Sequence, residues 1–555
     1  MSNIRPSMNE ARKLQSGLSE RMFGKVARLG LSPRQQELNR LWATYRGQQY
    51  SARKIDWDGT ERVDPIETEA IASAGFLPPG YYDAGATFPV KFRRPSTPYH
   101  LRKVIVDRFT GLLFSDRKHP IIRVEGDALT EDYVRTLAEV SRLWPSMILA
   151  RTYGGSMGTV AVGFQFVDGR PVVEVHDPRW CIPVFEDRHA LKLASIEKKY
   201  MYPVDEQDPE TGAWVQRPYW YRRIIDRERD ILFAPCPVTD EAPEWQIERE
   251  VEHGLGMCPV VWAQNMPVQD DIDGDPDCLG IDDICDQMDA LLSQANIGII
   301  ASCDPTLKII TNAELDSIRK GNRNALKLPE GSSADYMEIN GAGLKQALEM
   351  AQELRKMALE VAQCVLDHAN VHGRTATEVE RLYSSMLAKA DILREQYGER
   401  LVKPLLEMMV EAVRHLETPR AVEGGILRQV VKLPYKTKLR EDGTVEKAAR
   451  RLGDGGMISL NWGPYFQPTL EEAIQATQAT VMAKTGGVLD QEHAVAFTAP
   501  FFLVEDAQTM VRSIHHEQQT AMEEQDSMTM NLMQPEYLRP KAGAPKPPTV
   551  SKSEE

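Results

Sequence analysis

GLKQALEMAQELRKMALEVAQCVLDHANV, residues 343–371, is the stretch of sequence that decides the fold. It runs without a proline and is rich in residues of high helix propensity, so it predicts one long helix. Its large apolar side chains form a wide stripe made of Leu344, Leu348, Leu354, Leu359, Val361, Val365 and Leu366. A stripe of this width predicts a helix with apolar neighbours on more than one side, as in a bundle.

A second and longer helix is predicted after the short break HGRTAT, over EVERLYSSMLAKADILREQYGERLVKPLLEMMVEAVRHLE, residues 378–417. Gly398 and Pro404 lie inside it. A proline removes one backbone donor, and its ring clashes with the preceding turn. We therefore expect a kink at Pro404.

Upstream of these two helices, IDDICDQMDALLSQANIGIIAS (residues 281–302) predicts another helix with a broad apolar stripe. Between it and residue 341 lies a short mixed segment. That segment contains the strand-like run PTLKII and a small predicted helix, NAELDSIRKG. The sequence therefore predicts a helix, a small mixed unit and a returning helix in direct succession.

Residues 155–265 form a mainly β module, because the hydrophobic period changes there from 3.6 to 2. TVAVGFQFVDGRPVVEVHD is two alternating runs joined by Asp168 and Gly169, which predicts a hairpin. Further strand-like runs are CIPVFED, LASIEKKYMYPV, WVQRPYWYRRIID and DILFAP.

Helices precede the β module. The first has Ser32 as N-cap, Pro33 at its first position and Gly47 at its end. The second is expected to start near Ser96. The third covers LTEDYVRTLAEVSRLWPSMILARTYG, with only part of a capping box from Thr130.

Composition sets limits on function. The 555 residues are 42% hydrophobic and 26% charged, which is typical of a globular protein of more than one module. Seven scattered cysteines without a CxxC pair favour reduced thiols, and the N-terminus lacks the apolar core of a secretory signal. The net charge of −15 argues against a protein that grips DNA by its phosphates, although not against one that lets DNA slide past.

The acidic stretch QDDIDGDPDCLGIDD, residues 269–283, has two interpretations. A calcium loop counted from Asp271 would need glycine at its sixth position and glutamate at its twelfth, where Pro276 and Asp282 stand. The alternative is that Asp277, Asp282 and Asp283 lie before and in the first turn of a helix, where the helix dipole favours negative charge. The spacing favours the second interpretation, and no metal site is expected.

Other motifs also have ordinary interpretations. TYGGSMG (residues 152–158) follows a helix and precedes a strand, the reverse of a phosphate loop, so a close-packed turn is expected. RPYWYRRII resembles a platform for single-stranded nucleic acid, but alternation in a strand favours one buried and one solvated face. His515, His516 and Glu517 lack the second histidine of a zinc helix. No catalytic constellation is found, so an enzyme is not expected.

The order of these parts resembles the portal proteins of tailed bacteriophages, the head-to-tail connectors, over about residues 35 to 520. GMCPVVWAQNMPVQDDIDGDPDCLGIDDICDQMDALLSQAN is similar to the passage from wing strand into first stem helix, and DPTLKII to the start of the clip. Residues 343–371 resemble the second stem helix. NVHGRTATEVERLYSSM and the sequence after it resemble the tunnel loop and the long kinked helix.

The resemblance implies an α+β fold assembled as a ring, with nine segments along the chain. These are a flexible arm (1–30), a wing (31–277), stem helix 1 (278–302), a clip (303–340), stem helix 2 (341–369), a tunnel loop (370–377), a long kinked helix with return wing strands (378–466), crown helices (467–522) and a disordered tail (523–555).

The implied function is a channel at one capsid vertex, through which double-stranded DNA is packaged and later ejected. The implied partners are about twelve copies of the chain itself, the DNA, the terminase large subunit, the head-completion adaptor, the major capsid protein and a scaffold. Its location would be the virion, and the host cytoplasm during assembly. A ring of twelve would carry about −180 formal charges, scaled from −15 per chain, so DNA would be trapped weakly. No cofactor and no membrane partner are expected.

Two sets of residues are candidates for contact under this resemblance. In the tunnel loop, Asn370, His372 and Arg374 either touch DNA phosphates or only pack against neighbouring loops. In the clip, the candidates for contact with the terminase or the adaptor are Lys308, Arg319, Lys320 and Arg323. The alternative from another class is a metal-dependent hydrolase that uses the 270–283 acidic stretch, and a scaffold-like virion protein is a third interpretation.

Overall fold

The computed structural model describes residues 31–50, 94–115, 118–207, 214–239, 243–303, 306–310, 333–337, 342–366, 381, 383–418, 420–422, 425–427, 431–439, 445–465, 470–499 and several positions between 510 and 522. Residues 1–462 and 463–555 are separate units. Helices and antiparallel strands occur in successive blocks, which confirms the α+β class.

The helices are α1 (Pro33–Tyr45), α2 (Leu101–Leu113), α3 (Ala128–Val140), α4 (Leu143–Met157), α5 (Asp282–Cys303), α6 (Ala342–Val361), α7 (Ser384–Tyr397), α8 (Lys403–Glu417), α9 (Leu470–Thr485) and α10 (Gln491–Thr498). The strands are β1 (Ile121–Val124), β2 (Thr159–Val167), β3 (Arg170–His176), β4 (Cys181–Asp187), β5 (Lys192–Gln207), β6 (Trp214–Ile225), β7 (Arg229–Phe233), β8 (Cys236–Pro237), β9 (Ile247–Glu252), β10 (Val260–Gln264), β11 (Thr306–Ile310), β12 (Ser333–Met337), β13 (Arg420–Val422), β14 (Gly425–Leu427), β15 (Lys436–Leu439), β16 (Val445–Ala448) and β17 (Ile458–Asn461).

Helix α1 starts and ends where the sequence predicts. The Ser32 side chain accepts a hydrogen bond from the Gln35 backbone, and the Gln35 side chain accepts from the Ser32 backbone, which completes a capping box. Pro33 occupies the first turn, where no backbone donor is needed. Gly47 takes φ +70° just past the end, as a C-terminal glycine commonly does.

The expected single helix over residues 129–154 is wrong, because α3 and α4 are two helices. Arg142 adopts φ +56° between them, which interrupts the helical path. The N-cap of α3 is Asp127, whose carboxylate accepts from the backbone of Leu129 and Thr130. Helix α2 likewise starts at Leu101 rather than near Ser96. Pro145 in the first turn of α4 and Pro98 just before α2 are the local signals for these two boundaries.

The β module contains two sheets. One has the order β10-β2-β3, and the other runs β4-β5-β6-β7-β9, with β8 added to β6. The predicted hairpin is confirmed between β2 and β3. Asp168 and Gly169 both have positive φ, +52° and +78°, as a two-residue hairpin turn requires. Between the sheets, Trp262, Ile196 and Val260 form part of a buried core.

The run RPYWYRRII does not have the expected solvated face. Tyr221 on one face stacks on Tyr200 of β5, with ring centroids 4.7 Å apart. On the other face, the Lys199 ammonium lies 4.7 Å from the Trp220 ring, and the Arg222 guanidinium lies 4.8 Å from the ring of Trp245. The first face is half-buried at Tyr221 and buried at Arg223 and Ile225. The second face is half-buried, because Trp245 from the loop before β9 covers it.

His176 at the end of β3 should make stability depend on pH. Burial lowers its pKa to about 4, although neighbouring Glu174 opposes the shift. Between pH 6.5 and 4 the unfolded chain therefore binds more protons, and folded stability decreases as pH falls. We expect His176 to account for a loss on the order of 3 kcal/mol across this window. Urea unfolding at several pH values should show a smaller pH slope for His176→Gln, whereas an identical slope would contradict the assignment.

Helices α5 and α6, with the strand pair β11–β12 between them, form the stem hairpin. The two helices run antiparallel: Gly280, just before α5, lies beside Val361 at the end of α6, and Gly298 lies beside Leu344 at its start. Strands β11 and β12 pair from Thr306–Met337 to Ile310–Ser333. The succession of helix, small β unit and returning helix predicted from sequence is therefore observed.

Helix α6 ends at Val361, so the expectation that it continues to residue 369 is wrong for the described residues up to 366. Gln363 adopts φ +53°. The Cys364 N–H donates to Leu359 O at 2.9 Å, and the Gln363 N–H donates to Glu360 O at 3.0 Å. These two bonds define a Schellman motif, which usually has glycine in the left-handed position. Because glutamine stands there, the sequence gives no stop signal.

Replacing Gln363 by Gly should stabilise the protein. A side chain in the left-handed region costs about 1 kcal/mol or more, which glycine avoids. We expect the free energy of unfolding to rise by about 0.5–1 kcal/mol, measured by urea denaturation. Gln352→Gly, in the interior of the same helix, is the matched control and should instead lower it by a similar amount. A destabilised Gln363→Gly variant would contradict the Schellman assignment.

The long helix is interrupted by a π-helical segment, Gly398–Val402, that joins α7 to α8. The Lys403 N–H donates to Gly398 O, five residues back. Pro404 follows directly, and because it lacks an N–H it cannot bond the carbonyl four residues earlier. Gly398 packs against the ring of Trp462 after β17. The structure thus places an irregular helical turn immediately before Pro404.

The strands after the long helix lead back to the N-terminal part of the chain. Strand β17 pairs antiparallel with β1, from Ile121–Asn461 to Val124–Ile458. In the C-terminal unit, α9 lies within the segment predicted to be helical, 467–522, and Asp490 caps α10 by accepting from the His493 backbone at 2.8 Å. The described positions from 510 to 522 are helical. Among the helices described, none combines the length and apolar composition needed to cross a membrane.

Candidate assembly site on the stem hairpin

The acidic stretch before α5 is held by cations from the N-terminal helices. Arg34 of α1 donates to Asp273 at 2.8 Å, and another of its guanidinium nitrogens donates to Cys181 O at 3.0 Å. Arg102 of α2 donates to Asp282 at 2.8 Å, and Arg40 bonds the other oxygen of the same carboxylate at 2.8 Å. These pairs attach the start of the stem hairpin to the wing.

Asp282 and Asp283 lie in the first turn of α5, which confirms the helix-terminus interpretation of the acidic stretch. Burial of Asp282 would raise its pKa, but Arg102 and Arg40 more than compensate and hold that pKa below its usual range. Further along α5, Asp289 accepts from the Tyr50 hydroxyl at 2.7 Å and from the Tyr99 backbone at 2.8 Å. The wing therefore holds α5 along two of its turns.

Asp277 has a different role from the one predicted, because it is completely buried in an ion pair. Arg151 of α4 donates to its carboxylate at 2.7 Å, and both side chains are 0% exposed. Asn265, directly after β10, donates to the other Asp277 oxygen at 3.1 Å, and the Tyr397 hydroxyl donates to Asn265 at 3.0 Å. These residues, with Lys389, form what we call the charged hub.

The charged hub joins segments that are far apart in sequence. Its members come from α4, the residue after β10, the loop before α5, and α7. Burial opposes the charge on Arg151, but the Asp277 carboxylate outweighs it and keeps the Arg151 pKa raised. Gly154 and Gly155 in α4 leave room for Tyr397 and for the ion pair, since a Cβ atom at either position would collide with these side chains. The expected close packing at TYGGSMG is thus observed, but within a helix that extends to Met157.

The hub was missed by sequence reasoning, although one signal existed. Arg151 stands in the otherwise apolar run LWPSMILARTYGG, and a lone arginine on a buried helix needs a carboxylate partner. Sequence alone does not say which of many acids supplies it. The partner is 126 residues away.

Metal binding at the acidic stretch finds no geometric support. Within the described ranges no group of three or more His, Cys, Asp or Glu side chains is placed to hold a metal ion. Asp273, Asp277 and Asp282 are already paired with arginines. Asp271 accepts from the Ile272 backbone at 2.7 Å. The described residues therefore offer no metal site for the hydrolase interpretation, which stays a prediction.

The far end of the stem hairpin is apolar where it meets solvent. Ile297, Ile299 and Ile300 of α5 are 38%, 42% and 59% exposed. Successive helical residues are rotated by about 100°, so Ile297 and Ile300 share one face of α5 and Ile299 lies about 100° from Ile300. Leu344 of α6 lies on the opposite side, beside Gly298. The three isoleucines therefore form a broad apolar stripe on the side of α5 away from α6, and such a stripe is normally covered.

Helix α6 continues this surface. The apolar stripe predicted from sequence divides in two: Leu354 and Leu359 are buried within the chain, while Leu348 and Val361 face solvent. The inner contact is completed by small residues, Ala351 and Ala358 among them, which let the helices approach closely. Met350 and Met357 are also exposed, at 46% and 41%. The stem hairpin therefore has an inner seam and an outer apolar surface.

The remaining predicted site residues lie mostly outside the described residues. This is true of the tunnel-loop candidates Asn370, His372 and Arg374, of the clip candidates Arg319, Lys320 and Arg323, of the arm 1–30 and of the tail 523–555. Lys308 is described: it lies in β11 with its side chain exposed.

Comparison with known proteins adds no family assignment. Neither a family model nor a curated protein matches this chain. The function must therefore be argued from the geometry and from the order of the parts.

Proposed function

We propose that this chain is a portal protein: a ring-forming, non-enzymatic channel at one capsid vertex through which double-stranded DNA is packaged and later ejected. The observation that carries the proposal is the far end of the stem hairpin, where Ile297, Ile299 and Ile300 are all exposed in the single chain. This apolar stripe lies on the side of α5 away from α6, so α6 does not cover it. Copies of the chain on both sides, as in a ring, would cover it.

The order of the parts supports the same function. A wing of helices and strands leads into α5, then into the β11–β12 pair, then back through α6, and finally into the long interrupted helix α7–α8. Strand β17 returns to the wing by pairing with β1. In a ring, the stem hairpins would form the wall, with β11 and β12 at one end of it. The exposed Lys308 would then be available to the terminase large subunit or to the head-completion adaptor.

The charge balance is suited to a conduit. A net charge of −15 per chain gives a ring that repels the DNA backbone overall, so DNA would slide without being trapped. Contact with the major capsid protein would fall to the wing, and scaffold contacts would occur during assembly in the host cytoplasm. The hydrolase alternative is not favoured by any observation among the described residues.

Native mass spectrometry of the purified full-length chain tests the proposal. The expected result is a discrete assembly of about twelve copies, each of 62.5 kDa, with no dependence on divalent cations. Incubation with a chelator distinguishes the alternative, because a metal-dependent hydrolase would lose bound metal and activity. A chain that stays monomeric at every concentration would argue strongly against the portal function.

A further inference from the structure

Lys389 is a buried cation whose ammonium has three defined neighbours. It lies in α7 and is 7% exposed. Its ammonium donates to Ala362 O and to Asp277 O, each at 3.0 Å. On another side it lies 4.8 Å from the centroid of the Phe109 ring in α2, within the range of a cation–π contact.

The Ala362 carbonyl, which accepts from Lys389, lies at the C-terminal end of α6. It belongs to the residue between the end of α6 and Gln363, where helix carbonyls lack partners within the helix. The Schellman bonds satisfy the carbonyls of Leu359 and Glu360, whereas the Ala362 carbonyl accepts from Lys389. A lysine ammonium at a helix C-terminus supplies both a donor and a favourable charge. Lys389 thus completes the end of α6 from another helix.

The position of Lys389 in the chain gives this contact its significance. Ala362 and Lys389 are 27 residues apart, and their bond joins the end of α6 to α7 across the connection between those helices. The bond to Asp277 O ties both to the residue that precedes α5. One ammonium therefore fixes the relative positions of both stem helices and the first half of the long helix.

We propose that Lys389 is a positioning residue that sets the separation between the end of α6 and the start of α7. The consequence of this inference rests on the proposed portal function. In a ring, every copy would hold the end of α6 and α7 at the same separation, so the inner wall would have the same contour in each copy. An apolar residue in place of Lys389 would fit beside Phe109, but it would leave the buried carbonyls of Asp277 and Ala362 without donors.

The test compares Lys389→Met, which keeps the length but removes the donors, with Lys389→Arg, which keeps charge and donors. Amide exchange is timed by mass spectrometry at two places, residues 362–366 at the end of α6 and residues 386–390 in the first half of α7. For Lys389→Met we expect both rates to rise about tenfold to hundredfold at this connection, with wing amides unchanged. Lys389→Arg should restore most of the protection. Lys403→Met, which removes a partly exposed i,i+4 pair with Glu399, is the matched control and should change neither rate.

Each outcome is decisive. Unchanged rates in Lys389→Met would overturn the proposal, and so would a uniform rise over the whole chain, which would show only global destabilisation. If Lys389→Met does not fold, Lys389→Gln, which keeps one amide donor group, is measured in the same way. If the wild type forms no ring, the portal function fails, while the local exchange rates still decide whether Lys389 positions the two helices.

Discussion

Replacing Asp277 by Asn is expected to lower the free energy of unfolding by about 3–5 kcal/mol, because it leaves the Arg151 guanidinium charged and fully buried without its counter-ion. Both side chains are inaccessible to water, so no solvent screening reduces the loss. The same change replaces one of the two carboxylate oxygens, which accept from Arg151 and Asn265, by an NH2 group that cannot accept. Urea denaturation of the purified variant, followed by circular dichroism, measures the effect.

The matched control removes both charges together. Arg151→Met combined with Asp277→Leu should recover most of the stability lost in Asp277→Asn, because an apolar pair carries no desolvation penalty. Asp271→Asn, at an exposed carboxylate in the same stretch, should change stability by less than about 0.5 kcal/mol. If Asp277→Asn behaved like Asp271→Asn, the charged hub would not be the anchor of the stem hairpin.

Introducing charge at the far end of the stem hairpin is expected to prevent assembly without unfolding the chain. Each apolar side chain of this size contributes about 1.5–3 kcal/mol when it is buried at an interface. Ile299→Asp together with Ile300→Asp should therefore raise the concentration needed for assembly by about 100-fold or more. Both positions are solvent-exposed in the single chain, so monomer stability should change little. Sedimentation velocity over a range of concentrations measures the shift.

The control for this pair is an exposed apolar residue elsewhere. Leu129 in the first turn of α3 is 62% exposed, and an acid there is favoured by the helix dipole. Leu129→Asp should leave assembly unchanged. Equal assembly of the wild type and the double isoleucine variant would show that the exposed isoleucines are not an interface.

Local signals in the sequence predicted much of this fold. Ser32 and Gln35 define the start of α1, and Asp168 with Gly169 defines the β2–β3 turn, because each involves contacts between residues a few positions apart. The prediction failed where the deciding residue is unusual for its conformation. Gln363 and Arg142 adopt positive φ without being glycine, so no glycine marks the end of α6 or the break between α3 and α4.

The candidate site could be predicted only in part. The wide apolar stripe of residues 343–371 indicated neighbours on several sides, but not which residues face inward. Leu354 and Leu348 look alike in sequence, and only the contact with α5 places one inside and the other in solvent. Long-range pairs such as Arg151–Asp277 and Lys389–Ala362 depend on the tertiary arrangement, which no local pattern contains.

Negative-stain electron microscopy of the purified full-length chain is the most direct measurement of the central claim. Closed rings of about twelve copies with a hole wide enough for a DNA duplex, viewed end-on, are the expected result. Compact single-copy particles without a hole, in the presence and absence of DNA, would contradict the channel.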